Sequence, residues 1–203
     1  MIIDQYSYII KPQRTDNMIQ DLSELLVVNN KLNTYKHVKE VAECSKVIAS
    51  KYGLDLNTIE LASYSHDIAA IMKSSDMLEY AMKENLYLDE AERKYPFLLH
   101  QRFGKMIIED VFNITDTNVL SSVECHTTLR SKPSSYDLAL FIADKLAWDQ
   151  EGVPPYLEVV EKALEISLEK AALTYIDYIF EYEMILYPHT WLLEARKYLN
   201  EIL

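Results

Sequence analysis

Glycine is almost missing from this chain, with 3 residues in 203, where average usage of about 7% would give roughly 14. Gly53, Gly104 and Gly152 lie far apart, and both the dinucleotide-binding fingerprint and the P-loop need clustered glycines. Neither phosphate cradle can exist here, and hairpins that draw positive φ from glycine are equally short of material. Cysteine is scarce as well: Cys44 and Cys125 are too few for a disulfide framework or a zinc knuckle. No apolar run approaches the ~18 residues of a membrane-spanning helix. The apolar N-terminal stretch is interrupted by Asp4 and lacks a basic flank, unlike a secretory signal. A cytoplasmic protein is expected. The formal charge of −12 argues against nucleic acid and anionic membranes as partners.

What is present is apolar and helical in pattern. Hydrophobic residues make up 49% and charged residues 26%, which excludes disorder and fits one domain. No useful segment alternates with period two, so an all-α fold is expected. Residues 1–17 read as an irregular N-terminal arm. Helices are expected over about 18–29, from Thr34 to the stop at Gly53, and from Asp55 or Asn57 towards Ile71. Further helices are expected over 75–85 and 89–94, from Pro96, from Asp116 or Thr117, and from Ser134 or Ser135. Gly152 and Pro154-Pro155 break the pattern. A long acidic helix over about 156–183 follows, and a last helix begins after Pro188. The main domain spans 18–185, with 186–203 packing on it as a C-terminal helix.

Four of the five histidines sit on the apolar stripe of their own helix. His66 continues Ile59, Ala62 and Ser63; His126 continues Val119, Ser122 and Val123. His100 runs from Phe97 towards Gly104 and Ile107, and His37 stands one turn before Val41. Asp144 follows Leu140 and Phe141 in the same way, and Asp67 adjoins His66. A lone histidine on an apolar face is usually a core residue with one hydrogen bond. Four such helices with two carboxylates are another matter, because buried carboxylates are costly unless paired or coordinated. Imidazole and carboxylate together suit iron, manganese or zinc. Adjacent helical residues point about 100° apart, so His66 and Asp67 fit one metal and a bridge to a second. A two-metal site with open positions is the economical reading. His189, at a helix start, reads as structural.

The segments Tyr35-Lys36-His37-Val38-Lys39-Glu40-Val41-Ala42, Ser65-His66-Asp67-Ile68-Ala69, Leu99-His100-Gln101, His126-Thr127-Thr128 and Ile142-Ala143-Asp144-Lys145 resemble, in order and spacing, the HD-domain superfamily of metal-dependent phosphohydrolases. The likeness is closest to its YqeK-type branch of symmetrical bis(5′-nucleosyl)-tetraphosphatases. It covers about residues 18–185 and implies a single-domain HD helical bundle. It also implies His37, His66, Asp67, His100, His126 and Asp144 as metal ligands, with His66 and Asp67 at the catalytic heart. His37, His66, Asp67 and Asp144 would hold one metal, and Asp67 would bridge to a second held by His100 and His126. Iron is the metal the resemblance implies first, with manganese or cobalt as alternatives. The implied reaction splits diadenosine tetraphosphate into two ADP.

Three positions depart from that pattern: Ala70 stands where the branch carries lysine, Leu129 where it carries glycine, and Ala147–Gln150 where it runs on to glutamate and arginine. The expected chemistry is attack by a hydroxide that two divalent ions make available near neutral pH. Arg102, Lys105, Thr127, Arg130 and Lys145 are candidate substrate contacts, and Lys73 could reach in near Ala70. Other readings are a hydrolase of another nucleotide, a di-iron oxygenase, or a metal- and nucleotide-binding protein with impaired turnover. A homodimer through the tyrosine-rich helix is a further option.

Overall fold

Apolar residues at helical spacing, closed off by polar caps, produce an all-helical chain. The computed structural model describes residues 1–148 and 152–203, and among them there are eleven α-helices and no strand. Helix α1 (Met18–Val28) is capped by Asn17, whose side chain accepts from the Gln20 N–H. Helix α2 (Leu32–Tyr52) ends at Gly53 with φ 68°, a left-handed turn that glycine makes at little cost. Helix α3 (Leu56–Ser65) is capped by Asp55. Helices α4 (Ser74–Lys83) and α5 (Glu90–Lys94) lead to α6 (His100–Phe112), and Asp116 caps α7 (Thr117–Cys125). A reciprocal Ser134–Asp137 capping box opens α8 (Ser135–Leu146). Helices α9 (Leu157–Leu164), α10 (Leu168–Glu181) and α11 (Thr190–Ile202) complete the chain.

Helix α2 packs on α3 and α8, and α7 lies against α3, α6 and α8. Their apolar faces meet in one core that includes Val41, Ile59, Phe103, Val123 and Phe141. Burying each large side chain contributes about 1.5–3 kcal/mol. Helix α10 covers α8, and α11 covers α10, so Leu192, Ala195 and Leu199 join the same core.

Four segments differ from the sequence expectation. The arm, expected to be irregular, contains a 3-10 turn over Ile2–Gln5, and Ile2, Ile3 and Ile9 are buried. The buried Asp21 carboxylate accepts from both the N–H and the hydroxyl of Thr15. The helix expected to reach Ile71 stops at Ser65, turns through His66 and Asp67, and resumes as a 3-10 turn over Ile68–Ile71. Pro96 opens a 3-10 turn (Pro96–Leu99) before the α-helix begins. The single helix expected over 156–183 is two helices, because the Ser167 side chain caps the Lys170 N–H and starts a new one. The departures noted at Asp149 and Gln150 lie outside the described residues.

Candidate metal centre

Five helices deliver the six expected ligands to one place. His37 projects from the second turn of α2, and His66 stands at the C-terminal end of α3 with Asp67 in the turn beyond. His100 is the first residue of α6, His126 stands at the C-terminal end of α7, and Asp144 lies in the last turn of α8.

Backbone carbonyls set the orientation of three imidazoles. Nδ1 of His66 lies 2.7 Å from the Ser63 carbonyl, Nδ1 of His100 lies 2.6 Å from that of Phe97, and Nδ1 of His126 lies 2.9 Å from that of Val123. A carbonyl only accepts, so each Nδ1 carries a hydrogen and each ring leaves Nε2 facing inward as the atom that could bind a metal. These nitrogens converge on Asp67. Its Oδ2 is 3.7 Å from His66 Nε2, and its Oδ1 is 3.3 Å from His100 Nε2 and 3.5 Å from His126 Nε2. Asp144 Oδ1 lies 2.9 Å from His37 Nε2 and 3.5 Å from His66 Nε2. Two donor groups result, His37/His66/Asp67 and Asp67/His100/His126, each with its atoms within 4.8 Å of one another. Asp67 belongs to both.

Divalent metals fit this donor set. His66 Nε2 is buried with no hydrogen-bond partner, a costly state unless something binds it. The Nε2 atoms of His100 and His126 are 3.0 Å apart, the separation of two nitrogens that share one ion at right angles with bonds of about 2.1 Å. Imidazole and carboxylate without thiolate suit iron, manganese or zinc. The charges are coupled in the same sense. Burial opposes protonation of His66, yet the Asp67 and Asp144 carboxylates outweigh it and raise the imidazole to about 9. Burial, with the like charges of His66 and His100, lowers His126 to about 4. Both carboxyls sit far below the usual range: despite burial, the surrounding imidazoles hold Asp67 there, and Lys145 with His37 and His66 holds Asp144.

Of the expected substrate contacts, two lie at this centre. Lys145 Nζ is 2.5 Å from Asp144 Oδ2, and Thr127 Oγ1 is 3.1 Å from His100 Nε2. The other three are engaged nearby with acidic partners. Arg102 Nη1 is 2.8 Å from the buried Glu92 carboxylate, and Lys105 and Arg130 each reach Glu124 at 3.2 Å. Lys73 lies over the Tyr8 ring at 4.6 Å. Leu129, where the resemblance expects glycine, adopts φ 55° while fully buried, which explains why glycine suits that position. Gly104 allows α6 to approach the ligand turn, since a Cβ there would lie 3.2 Å from the His66 carbonyl oxygen.

Gln101, next to His100, has a structural role that its sequence position does not reveal. It is fully buried, its Oε1 accepts from the Thr127 and Thr128 N–H groups, and its Nε2 donates to Thr128 Oγ1. It thereby fixes the segment after His126. Its position beside His100 on a buried helix start was the only available signal.

A helical bundle that gathers His, His-Asp, His, His and Asp around a shared carboxylate is a metal-site architecture, and the HD domain family model matches residues 34–149. The chain belongs to this family and is an HD-domain hydrolase. It is 39% identical over 137 residues to the "Uncharacterized protein in pepC 5′region" of Lactococcus lactis subsp. cremoris, covering 68% of this chain and 70% of that one. It is 25% identical over 158 residues to a symmetrical bis(5′-nucleosyl)-tetraphosphatase of Halalkalibacterium halodurans, covering 77% and 84%. The crystal structure of an HD superfamily hydrolase from Clostridium acetobutylicum, described as involved in NAD metabolism, superposes with a TM-score of 0.81 at 25% identity. That match covers 91% of this chain and 97% of the other.

Proposed function

We propose that this protein hydrolyses dinucleoside tetraphosphates symmetrically, converting diadenosine tetraphosphate and water into two ADP. The observation that carries the reading is the Asp67 carboxylate, which faces one donor group with each oxygen. His37, His66, Asp67 and Asp144 would hold one divalent ion, and Asp67, His100 and His126 a second. Such ions, iron first and manganese or cobalt next, would supply Lewis-acid charge for phosphoryl oxygens and acidify water.

The chain's own groups bind and orient the substrate. Lys145 is bonded to Asp144 and also lies 3.4 Å from the His126 carbonyl, so its ammonium is held at the rim of the centre. Thr127 Oγ1 can donate to a phosphoryl oxygen on the His100 side. Next to Thr127 opens a cavity of about 510 Å³ walled by Tyr95, Phe97, Tyr175 and Tyr187, whose aromatic faces suit a nucleobase. Overall cleavage places the water oxygen on a central phosphorus and breaks its bond to the central bridging oxygen. The relative from Halalkalibacterium halodurans carries the name of this reaction.

The test is product analysis after loading the purified protein with iron or manganese and adding diadenosine tetraphosphate. Two ADP are expected. ATP plus AMP would overturn the symmetrical assignment, and no cleavage would overturn the reading as a whole.

A further inference from the structure

Beside the centre, sharing Phe97 with the aromatic cavity, lies a second cavity of about 390 Å³. Asp67, His100 and Ala70 line it together with Phe97, and Lys31 closes it. We propose that Lys31 is the lysine that binds the substrate's phosphate chain at this site, an inference that rests on the nucleotide-hydrolase reading above.

The charges single out Lys31. Arg102, Lys105, Arg130 and Lys145 are each paired with a carboxylate. Lys31 is half-buried and forms no ion pair among the described residues. It is the cation in the cavity that also contains two of the expected ligands. A chain with a formal charge of −12 repels polyanions over most of its surface, so an anionic ligand needs local positive charge where it docks. An unpaired ammonium can provide that charge without first giving up an intramolecular partner.

The surrounding space has the right shape. Ala70 contributes only a methyl group, which leaves the cavity open between Asp67 and Lys31. Lys31, Met72 and Ser74 also line an adjoining pocket of about 390 Å³ that extends to Lys73 and Asn30. Lys31 therefore stands where the two spaces meet. A polyphosphate reaching from the centre into this cavity would meet Lys31 as the lysine that lines it.

Lys31 precedes α2 and its side chain makes no cap bond there, so replacing it should leave the fold intact. Lys31→Met and Lys31→Arg, each loaded with manganese, would be titrated with ADP by calorimetry, with metal content and Tm measured alongside. Lys31→Met should bind ADP about tenfold more weakly, as the loss of one charge-assisted phosphate contact implies. Lys31→Arg should stay near the unaltered protein, and metal content and Tm should hold in both. Unchanged ADP affinity in Lys31→Met, or equal weakening in both variants, overturns the proposal. If dinucleoside tetraphosphates are not cleaved but Lys31→Met still weakens ADP binding, the phosphate site stands and the assigned reaction falls. If they are cleaved with an unchanged KM in Lys31→Met, the reaction stands and the phosphate site falls.

Discussion

Nε2 of His100 lies 3.0 Å from Nε2 of His126, while each ring gives its other nitrogen's hydrogen to a carbonyl three residues earlier. Two neutral imidazoles held this way present lone pairs to each other. That contact is repulsive unless a proton or a metal ion lies at it. The backbone has thus fixed both tautomers in the form a metal ligand requires.

Removing one of this pair separates the two donor groups. His100→Ala should reduce the bound metal by about half, because one group keeps all its donors and the other loses an imidazole. The measurement is elemental analysis beside a circular dichroism spectrum that reports the intact fold. Unchanged stoichiometry would sink the two-metal arrangement.

His66 ties metal loading to pH. With its imidazole raised to about 9 by Asp67 and Asp144 against the effect of burial, the metal-free protein carries this proton at neutral pH. Binding at Nε2 must expel it, so about one proton should be released per chain near pH 7, fading as pH rises through about 9. Calorimetry in two buffers of different ionisation heat reads that number. The metal-free fold follows the same sign: the contribution of protonated His66 is complete below its ordinary value of 6.5 and is lost as pH rises through about 9.

Arg102 is expected to act in stability rather than in substrate binding. Its partner Glu92 is almost fully buried, and removing one member of a buried pair costs about 3–5 kcal/mol. Arg102→Met should therefore lower Tm sharply, while KM at low temperature shifts by no more than about twofold. A tenfold rise in KM with an unchanged Tm would restore Arg102 as a substrate contact. Despite burial, His189, the Asp89 N–H and Arg102 hold the Glu92 carboxyl below its usual 4.5. The stability it contributes is complete above that value and lost as pH falls below it.

Gly104→Ala tests how close α6 must come to the ligand turn. The new methyl would lie 3.2 Å from both the His66 carbonyl oxygen and Val123 Cγ1. Overpacking of this kind costs about 1–3 kcal/mol, against up to about 1 kcal/mol regained in helix propensity. A net loss of stability of about 1 kcal/mol is expected, read from denaturant titration. A gain would mean that α6 shifts freely.

The residues gathered at the centre were legible in the sequence because His37, His66, His100, His126 and Asp144 lie on apolar stripes, where a polar residue has little other reason to be, and Asp67 adjoins His66. The chain direction around them was less so. Spacing alone ran α3 on to Ile71, but the His66 side chain bonds back to the Ser63 carbonyl and the helix stops there. Likewise the apolar rhythm carries across Ser167, and only the cap bond to Lys170 reveals two helices. Sequence neighbourhood placed Arg102, Lys105 and Arg130 near their histidines without fixing where the side chains turn, and their nearest opposite charges were Glu92 and Glu124. Lys31 had no signal at all, since it lies far along the chain from Asp67 and His100 and meets them only across a cavity.

His66 and His126 both stand at the C-terminal ends of their helices. The macrodipole of a helix is negative at that end, so α3 and α7 both direct partial negative charge at the centre, more than the opposing positive N-terminal end of α6 at His100 takes away. Cation affinity here is partly a property of the main chain. Transplanting the six side chains onto another bundle would leave that contribution behind unless two helices also ended at the same point.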